Sequence, residues 1–550
     1  MTQQLDAWWR SAVIYQIYPR SFADSDGDGI GDLPGITARL EHLADLGVDA
    51  AWLSPFYVSP MADAGYDVAD YRDIDPVFGT LADADALVAE AHRLGLRVIV
   101  DLVPNHTSDQ HVWFKAALAA TPGSPERARY IFREGKGEHG EEPPNHWRSV
   151  FGGPAWTRVT GPDGLPGQWY LHLFDVTQPD LDWTNPEVRE EFHDVLRFWL
   201  HRGVDGFRVD VAHGLVKAEG LPDWDYDHGL LDSTEKLGRP PMWDQDGVHE
   251  IYRAWRKVLD EYDDRVLVAE AWVEPPERLA KYVRHDEMHQ AFNFEYLTTR
   301  WVAADLREVI TSSISATAAV GAPTTWVLSN HDVVRHTTRL ALPLSGPKRP
   351  NGIKATDPQP DQVLGLRRGR AATAVMLALP GSAYVYQGEE LGLPEHTTMP
   401  DDARQDPTFF RTGGTVAGRD GCRVPIPWER NAPAYGFSPS GRSWLPQPES
   451  FAGHAADQER GVPGSTLELY REMLRLRREL GLGLGELEWV DDLGGDDVVA
   501  FRRGEVLVVA NLGGEPVPLP SGTRVLLTSG PLDEQDRVPT DTTVWLTPAS

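Results

Sequence analysis

Along most of the chain, short apolar segments alternate with longer segments whose apolar residues recur every three to four positions. The short segments are rich in Val, Ile, Tyr, Phe and Trp, which is typical of buried β-strands, and the longer ones have the period of amphipathic helices. Helical segments include 36–47, 83–95 and 185–203. Strand candidates lie at 12–19, 50–55, 97–104, 206–211, 266–271, 290–297, 324–332 and 381–390.

This alternation predicts an α/β fold with a parallel sheet built from βα units. Eight units favour a closed (β/α)8 barrel, a TIM barrel, and the alternative is an open doubly wound sheet. Residues 107–178, rich in Pro, Gly and Trp, are too long for an ordinary loop and predict an inserted domain B after the third strand. A second long loop insertion, at 392–463, follows the eighth strand.

After a helical segment at 466–481, the chain reads as short strands separated by Gly, Pro and Asp turns. We expect this end to form a C-terminal antiparallel β-sandwich. The predicted division is barrel domain A at 1–106 and 179–482, domain B at 107–178, and domain C at 483–550.

The charge of the chain excludes several classes of partner. It has 52 Lys and Arg against 83 Asp and Glu, a formal net charge of −31, which repels nucleic acids and anionic membrane surfaces. No apolar run approaches the ~18 residues of a membrane span. We therefore expect no nucleic acid and no membrane among the partners, and a monomer or homodimer.

The cysteine content bears on the compartment. The single cysteine, Cys422, cannot form an internal disulfide, and the first residues lack the basic and apolar regions of a signal peptide. A cytoplasmic protein is the expectation.

Candidate chemistry lies at the ends of the predicted strands, where barrel enzymes hold their active sites. A single acid there is more often a helix cap or surface group, but three carboxylates, two histidines and an arginine on one rim favour catalysis. Paired carboxylates suit glycoside hydrolysis, in which one protonates the leaving oxygen and another meets the developing oxocarbenium ion. The residues are Asn105, His106, Arg208, Asp210, Glu270, Asn330, His331 and Asp332.

Five segments resemble the signature regions of the α-amylase family of glycoside hydrolases (family 13), in its α-glucosidase and oligo-1,6-glucosidase branch. They are DLVPNH (101–106), QPDLDW (178–183), GFRVDVAH (206–213), VAEAW (268–272) and SNHD (329–332). The resemblance covers nearly the whole chain in the family's order. One departure is Asp182, where that branch usually has Asn.

The resemblance implies a retaining double displacement. Asp210 would be the nucleophile, Glu270 the acid and then the base, and Asp332 the stabiliser of the transition state. We expect carboxyl groups of Asp210 and Glu270 about 5 to 5.5 Å apart. Arg208, on the same strand face, should hold Asp210 ionised, and apolar neighbours should surround Glu270.

The same resemblance implies residues that bind the sugar. His106 and His331 would bind glucosyl hydroxyls, Tyr66 would stack on the sugar, and Asp67 would pair with Arg419 to close the pocket. A closed pocket admits only a chain end. Further pocket residues are Gln178, in the QPDLDW segment, with Phe151 and Phe174 on the aglycone side.

A second motif, DSDGDGIGD at 24–32, has carboxylates at alternate positions, as in a hard-cation loop. Position twelve is Gly35, so no bidentate Glu completes an EF-hand. The loop resembles the cation loop of the oligo-1,6-glucosidase branch, which implies a structural Ca²⁺ or Mg²⁺. Its expected ligands are Asp24, Asp26, Asp28, the carbonyl of Ile30, and Asp32. Neither GxGxxG nor GxxxxGK(S/T) occurs on a strand-to-helix turn, so we expect no organic cofactor.

These observations predict a retaining, exo-acting α-glucosidase that acts on maltose and short, neutral α-glucosides. An oligo-1,6-glucosidase and a transglucosylase or sucrose-acting enzyme are alternatives on the same scaffold. Val211 resembles a valine associated with tolerance for α-1,6 linkages, but it does not decide the linkage alone. A non-catalytic, transporter-associated relative is disfavoured, because all three acids are present.

Overall fold

The computed structural model describes residues 7–161, 164–224, 239–346 and 350–549. Its main sheet contains all eight predicted strands in one parallel, sequential order. They are β1 (Val13–Ile17), β2 (Ala50–Leu53), β3 (Arg97–Leu102), β4 (Gly206–Val209), β5 (Val266–Ala269), β6 (Gln290–Ala291), β7 (Thr325–Val327) and β8 (Ser382–Tyr386).

The sheet curls into a barrel. β8 pairs with β1, and a parallel bridge between Phe292 and Thr325 joins β6 to β7. An open doubly wound sheet has two unpaired edges and a non-sequential strand order, so that alternative is excluded.

β6 is much shorter than the predicted strand at 290–297. It ends at Ala291, and a helix begins at Phe294 because the side chain of Asn293 accepts a hydrogen bond from the backbone N–H of Tyr296. An N-cap of this kind starts a helix even in an aromatic-rich segment.

Most of the longer helices begin at a capping side chain. Asp32 caps the first, Thr80 and Asp83 form a capping box on the second, and Ser465 caps the last. The α-helices are Leu33–Leu46, Leu81–Arg93, Val112–Ala119, Pro186–His201, Val248–Leu259, Pro276–Leu279, Phe294–Thr298, Ala303–Ala318, His336–Arg339, Gln362–Ala378, Pro407–Arg411, Ala456–Glu459 and Thr466–Glu479. Short 3-10 helices are Trp8–Arg10, Pro19–Ser21, Arg127–Arg129, Ala280–Val283, Asp401–Ala403, Asp420–Cys422, Pro433–Gly436 and Glu449–His454.

Antiparallel strands form the parts outside the barrel. A hairpin follows β2, and a three-stranded sheet lies in the segment between β3 and β4. The C-terminal part has a five-stranded and a two-stranded sheet, as the sequence predicts. These strands are Tyr57–Val58, Asp70–Ile74, Phe132–Arg133, Trp156–Thr160, Pro166–Leu171, Glu488–Trp489, Val498–Arg503, Val506–Asn511, Val517–Pro518, Thr523–Thr528, Arg537–Val538 and Thr542–Pro548.

The C-terminal sheets are attached to the barrel through a buried carboxylate. Asp541 accepts hydrogen bonds from the indole of Trp301 at 2.8 Å and from Arg368 at 2.9 Å. The boundaries at 106, 178 and 482 stay predictions.

Candidate active site

One buried guanidinium holds three carboxylates at the C-terminal ends of β3, β4 and β5. Nη1 of Arg208 lies 2.8 Å from Asp101 Oδ1 and 2.7 Å from Asp210 Oδ1, and Nη2 lies 2.9 Å from Glu270 Oε2. Asp101 and Arg208 are register partners on neighbouring strands, which brings their side chains together. The predicted contact between Arg208 and Asp210 is present, but Arg208 also contacts Asp101 and Glu270.

This sharing contradicts the expectation that Arg208 holds Asp210 ionised in the free protein. Burial raises the pKa of Asp210 well above its usual range, and the charge of Arg208 opposes this only in part. Burial likewise raises the pKa of Asp101 to about 7, although the positive charge of Arg208 opposes this rise. The protonation of Asp101 and that of Asp210 are therefore coupled through one shared cation.

The predicted apolar neighbours Ala269 and Ala271 are buried, but the carboxylate of Glu270 itself has polar partners. Besides Arg208, its Oε2 accepts a hydrogen bond from the backbone N–H of Val211 at 2.8 Å, and its Oε1 lies 3.3 Å from the indole nitrogen of Trp272. Val211 has a φ of 47°, a strained value for a β-branched residue, and this turn presents its N–H to Glu270.

Asp332 lies at the end of β7 between two arginines. Its Oδ1 is 3.1 Å from Arg419 Nη1 and 3.0 Å from Arg423 Nη2. Burial would raise the pKa of Asp332, but His331, Arg419 and Arg423 together hold it well below its usual range. Asp332 is therefore ionised throughout the physiological pH range.

The two predicted histidines are buried, and burial lowers the pKa of each. The amide of Gln16 donates to Nδ1 of His331 at 2.7 Å, which leaves the ring proton on Nε2, 3.4 Å from Asp332 Oδ2. Nε2 of His106 donates to the carbonyl of Tyr66 at 3.1 Å. Both rings are thus fixed as neutral hydrogen-bonding groups.

Tyr66 and Gln178 lie beside these histidines. The ring of Tyr66 stacks on His331 with centroids 5.2 Å apart, and its hydroxyl donates to Asp101 Oδ2 at 3.1 Å. The amide nitrogen of Gln178 lies 3.2 Å from His106 Nε2 and 3.2 Å from Asp63 Oδ2. The site is therefore one connected polar network.

The predicted pairing of Asp67 with Arg419 is wrong, because Asp63 is the partner. Arg419 Nη2 lies 2.7 Å from Asp63 Oδ1, while its Nε lies 2.6 Å from Asp406 Oδ2. Asp67 is fully buried, and its carboxylate accepts hydrogen bonds from Ser59 and from the backbone N–H groups of residues 62 and 63. Asp67 thus fixes the loop that presents Asp63.

Phe151 and Phe174 come from the inserted segment, as predicted, and lie next to this pair. The guanidinium of Arg419 lies 5.0 Å from the centre of the Phe151 ring, and Phe174 packs on both Phe151 and His106. Residues of the inserted segment therefore lie against Arg419 and His106.

Lys217 is a residue that sequence reasoning missed. Its ammonium group, almost completely buried, contacts Asp180 Oδ2 at 2.8 Å, Asn105 Oδ1 at 2.7 Å and the carbonyl of Gly214 at 2.6 Å. It joins the end of β3, the QPDLDW segment and the loop after β4. Two of its partners lie in motifs named above, so a search for a cation near those motifs could have found it.

The acidic loop before the first helix matches its prediction in part. The carboxylates of Asp24, Asp26 and Asp28 lie within 4.8 Å of one another, a hard-oxygen set that fits Ca²⁺ or Mg²⁺. Asp32 has other partners: its two oxygens accept from the backbone N–H of Gly35 and from Ser25. Burial together with the neighbouring acids raises the pKa of Asp28.

A cavity of about 330 Å³ extends from the segment after β5 to the helix Ala303–Ala318 and the start of β7. Among the described residues, its walls include neither Asp210, Glu270 nor Asp332. Trp272 and Phe294, stacked with centroids 3.8 Å apart, form part of its lining. The indole of Trp272 links this lining to Glu270, whose Oε1 lies 3.3 Å from the indole nitrogen.

No helix within the described ranges is long and apolar enough to cross a bilayer.

Comparison with protein families gives two matches. The model of the alpha amylase catalytic domain matches residues 16–482, and a domain of unknown function, DUF3459, matches residues 491–545.

Alignments with several related proteins cover most of the chain. A probable alpha-glucosidase of Rhizobium meliloti (strain 1021) is 40% identical over 517 residues, which cover 90% of this chain and 87% of the relative. An oligo-1,6-glucosidase of Parageobacillus thermoglucosidasius is 34% identical over 504 residues, which cover 86% of this chain and 84% of the relative. The crystal structure of an alpha-glucosyl transfer enzyme, XgtA, has a TM-score of 0.84 and 36% identity over 98% of this chain and 99% of that one.

Proposed function

Because the chain belongs to the α-glucosidase branch of the α-amylase family of glycoside hydrolases, we propose that it is a retaining, exo-acting α-glucosidase. It would remove single glucose units from the non-reducing end of maltose and short α-glucosides. The observation that carries this proposal is the group of Asp210, Glu270 and Asp101 on one guanidinium. A double displacement needs two neighbouring acids, one as nucleophile and one as proton donor, and Asp210 and Glu270 are held on the same guanidinium.

In the first step, Asp210 attacks the anomeric carbon while Glu270 gives a proton to the departing oxygen. The bond between glucose and the leaving sugar breaks as the bond to Asp210 forms, so the glucosyl-enzyme has the β configuration. Asp332, ionised between its two arginines, would bind the sugar hydroxyls and favour the oxocarbenium-like ring.

In the second step, Glu270 takes a proton from water, which attacks the anomeric carbon from the face opposite Asp210. Glu270 ends protonated and Asp210 ends as a carboxylate, so the enzyme is regenerated and α-glucose leaves. Tyr66, His106 and His331 would hold the same sugar in both steps, because they lie around these carboxylates.

The pair of Asp63 and Arg419 supports exo action. It lies beside Asp332 and against the Phe151 ring, where it would block any glucose unit beyond the one being released. A blocked pocket accepts only a chain end.

Product analysis of a maltopentaose digest tests this function. Proton NMR at low conversion should show glucose and maltotetraose and no maltotriose beyond the trace from a second cleavage. Maltose and maltotriose as the first products would mean internal cleavage and would contradict exo action. Parallel digests of isomaltose and sucrose identify the preferred linkage.

Glucosyl transfer to a sugar is a second candidate, supported by the 36% identity to the alpha-glucosyl transfer enzyme XgtA. In a separate digest of maltose at high concentration, products longer than maltose would favour transfer over hydrolysis.

We also propose a structural Ca²⁺ or Mg²⁺ held by Asp24, Asp26 and Asp28. The ion would neutralise three carboxylates next to the helix Leu33–Leu46 and so stabilise the start of the barrel. It supplies no step of the reaction.

Chelation tests this site. EDTA should lower the midpoint of thermal unfolding by about 2–5 °C, because an ion that binds only the folded state stabilises it. The variant Asp26→Asn/Asp28→Asn should not respond to EDTA, whereas the exposed control Asp492→Asn/Asp496→Asn should respond as the wild type does. An unchanged wild-type midpoint in EDTA would refute the metal site.

The chemistry suggests neutral α-glucosides as the only small-molecule partners. A reduced cytoplasmic setting is supported by Cys422, which is free and buried.

A further inference from the structure

Asp101, at the end of β3, has no place in the double displacement, yet it is part of its charge balance. It is fully buried and shares Nη1 of Arg208 with Asp210. Its second oxygen accepts hydrogen bonds from Tyr66 at 3.1 Å and from the indole of Trp52 at 3.2 Å. A buried acid that only supported the fold would not need to compete for the cation of the nucleophile.

We propose that Asp101 is a positioning residue that sets how many protons the Asp210 and Glu270 pair holds, through the guanidinium that all three carboxylates share. This inference rests on the proposed function. With all three acids ionised, the group carries a net charge of −2 in a buried site, and one retained proton reduces this to −1. Without the charge of Asp101, the group would reach −1 with no proton at all.

Several strands and one loop segment bring charged or titratable side chains close to Asp101. β4 contributes Arg208 and Asp210, and β5 contributes Glu270. The segment after β2 contributes Tyr57, whose hydroxyl donates to the Asp101 carbonyl at 2.5 Å, and Tyr66. From β7 and β8, the charged or titratable groups near this cluster are Asp332, His331 and Tyr384.

Removing the charge of Asp101 has a predictable sign. A neighbouring negative charge favours the protonated form of a carboxyl group, so its loss makes both Asp210 and Glu270 lose their protons at lower pH. The acid limb of the activity profile reports the nucleophile and the basic limb reports the acid. Both limbs should therefore move in the same direction, towards lower pH.

The experiment is the pH dependence of kcat/KM on maltose for the wild type, Asp101→Asn and Asp101→Glu. We expect both limbs of Asp101→Asn to shift down by about one pH unit or more, since a unit charge a few ångströms away in a buried site changes a pKa by that amount. Asp101→Glu keeps the charge, so its rate should fall while its profile stays within about 0.3 unit of the wild type. Asp101→Ser serves as a second neutral variant, and thermal unfolding checks that each variant folds.

A folded neutral variant that loses rate without a shift of either limb would overturn the role of Asp101 and leave the proposed function intact. A shift in Asp101→Glu equal to that in Asp101→Asn would also overturn it, since the charge is unchanged. A wild type without activity on α-glucosides would instead refute the proposed function.

Discussion

Asp210→Asn should lower kcat on maltose by about 10⁵-fold while the protein remains folded. An amide is not a nucleophile towards the anomeric carbon, and loss of the nucleophile in covalent catalysis removes nearly all of the rate enhancement. The substitution is isosteric and keeps a group that can accept from Arg208 Nη1, so the guanidinium retains its contacts with Asp101 and Glu270. We therefore expect little change in thermal stability.

The measurement is initial-rate kinetics together with a thermal melt. Asp194→Asn, an exposed position on the helix Pro186–His201, is the matched control and should keep wild-type kcat. Activity of Asp210→Asn within a factor of ten of the wild type would show that another group is the nucleophile.

Glu270→Gln should lower kcat on maltose by about 10³- to 10⁴-fold, because the leaving sugar then departs without a proton. An aryl α-glucoside with an acidic phenol needs no such proton, so its first step should remain fast and produce a burst of phenol. Azide should then accelerate turnover, because it attacks the glucosyl-enzyme without a general base. The product should be α-glucosyl azide, since azide reacts on the face that water uses.

Rates are followed by phenol absorbance and the azide product by NMR. The exposed Glu277→Gln, on the helix Pro276–Leu279, is the matched control and should behave as the wild type. If azide gave β-glucosyl azide, or if aryl and maltose rates fell equally, Glu270 would not be the acid and base.

Much of the barrel could be predicted because its strands are mostly apolar. β5, for example, is buried at all four positions, and the segment before it has the helical period. β6 shows where this reasoning stops, since an aromatic-rich segment of eight residues fits a strand or a helix equally well. Only the cap formed by Asn293 decides between them.

In the candidate site, the sequence likewise does not determine which of two nearby acids contacts Arg419. Two acids, Asp63 and Asp67, lie close to Tyr66 in the sequence, and the prediction named only Asp67. The choice depends on a turn in which Met61, Ala64 and Gly65 all have left-handed φ values, and this turn carries Asp63 to Arg419. Residue spacing does not contain that geometry.

For a related reason, the sequence could not predict that three carboxylates contact Arg208. Sequence alternation places Arg208 and Asp210 on one strand face, but the pairing of β3 with β4 brings Asp101 to the same guanidinium. A pKa depends on every charge around a group, so the state of Asp210 required all three strands.

The most direct test of the double displacement through Asp210 and Glu270 is the anomer that the wild-type enzyme releases first from maltose. Proton NMR spectra recorded before mutarotation should show the α-anomeric signal of the released glucose appear first, followed by slow growth of the β signal. Initial release of β-glucose would contradict a retaining mechanism, because it would require a single displacement by water.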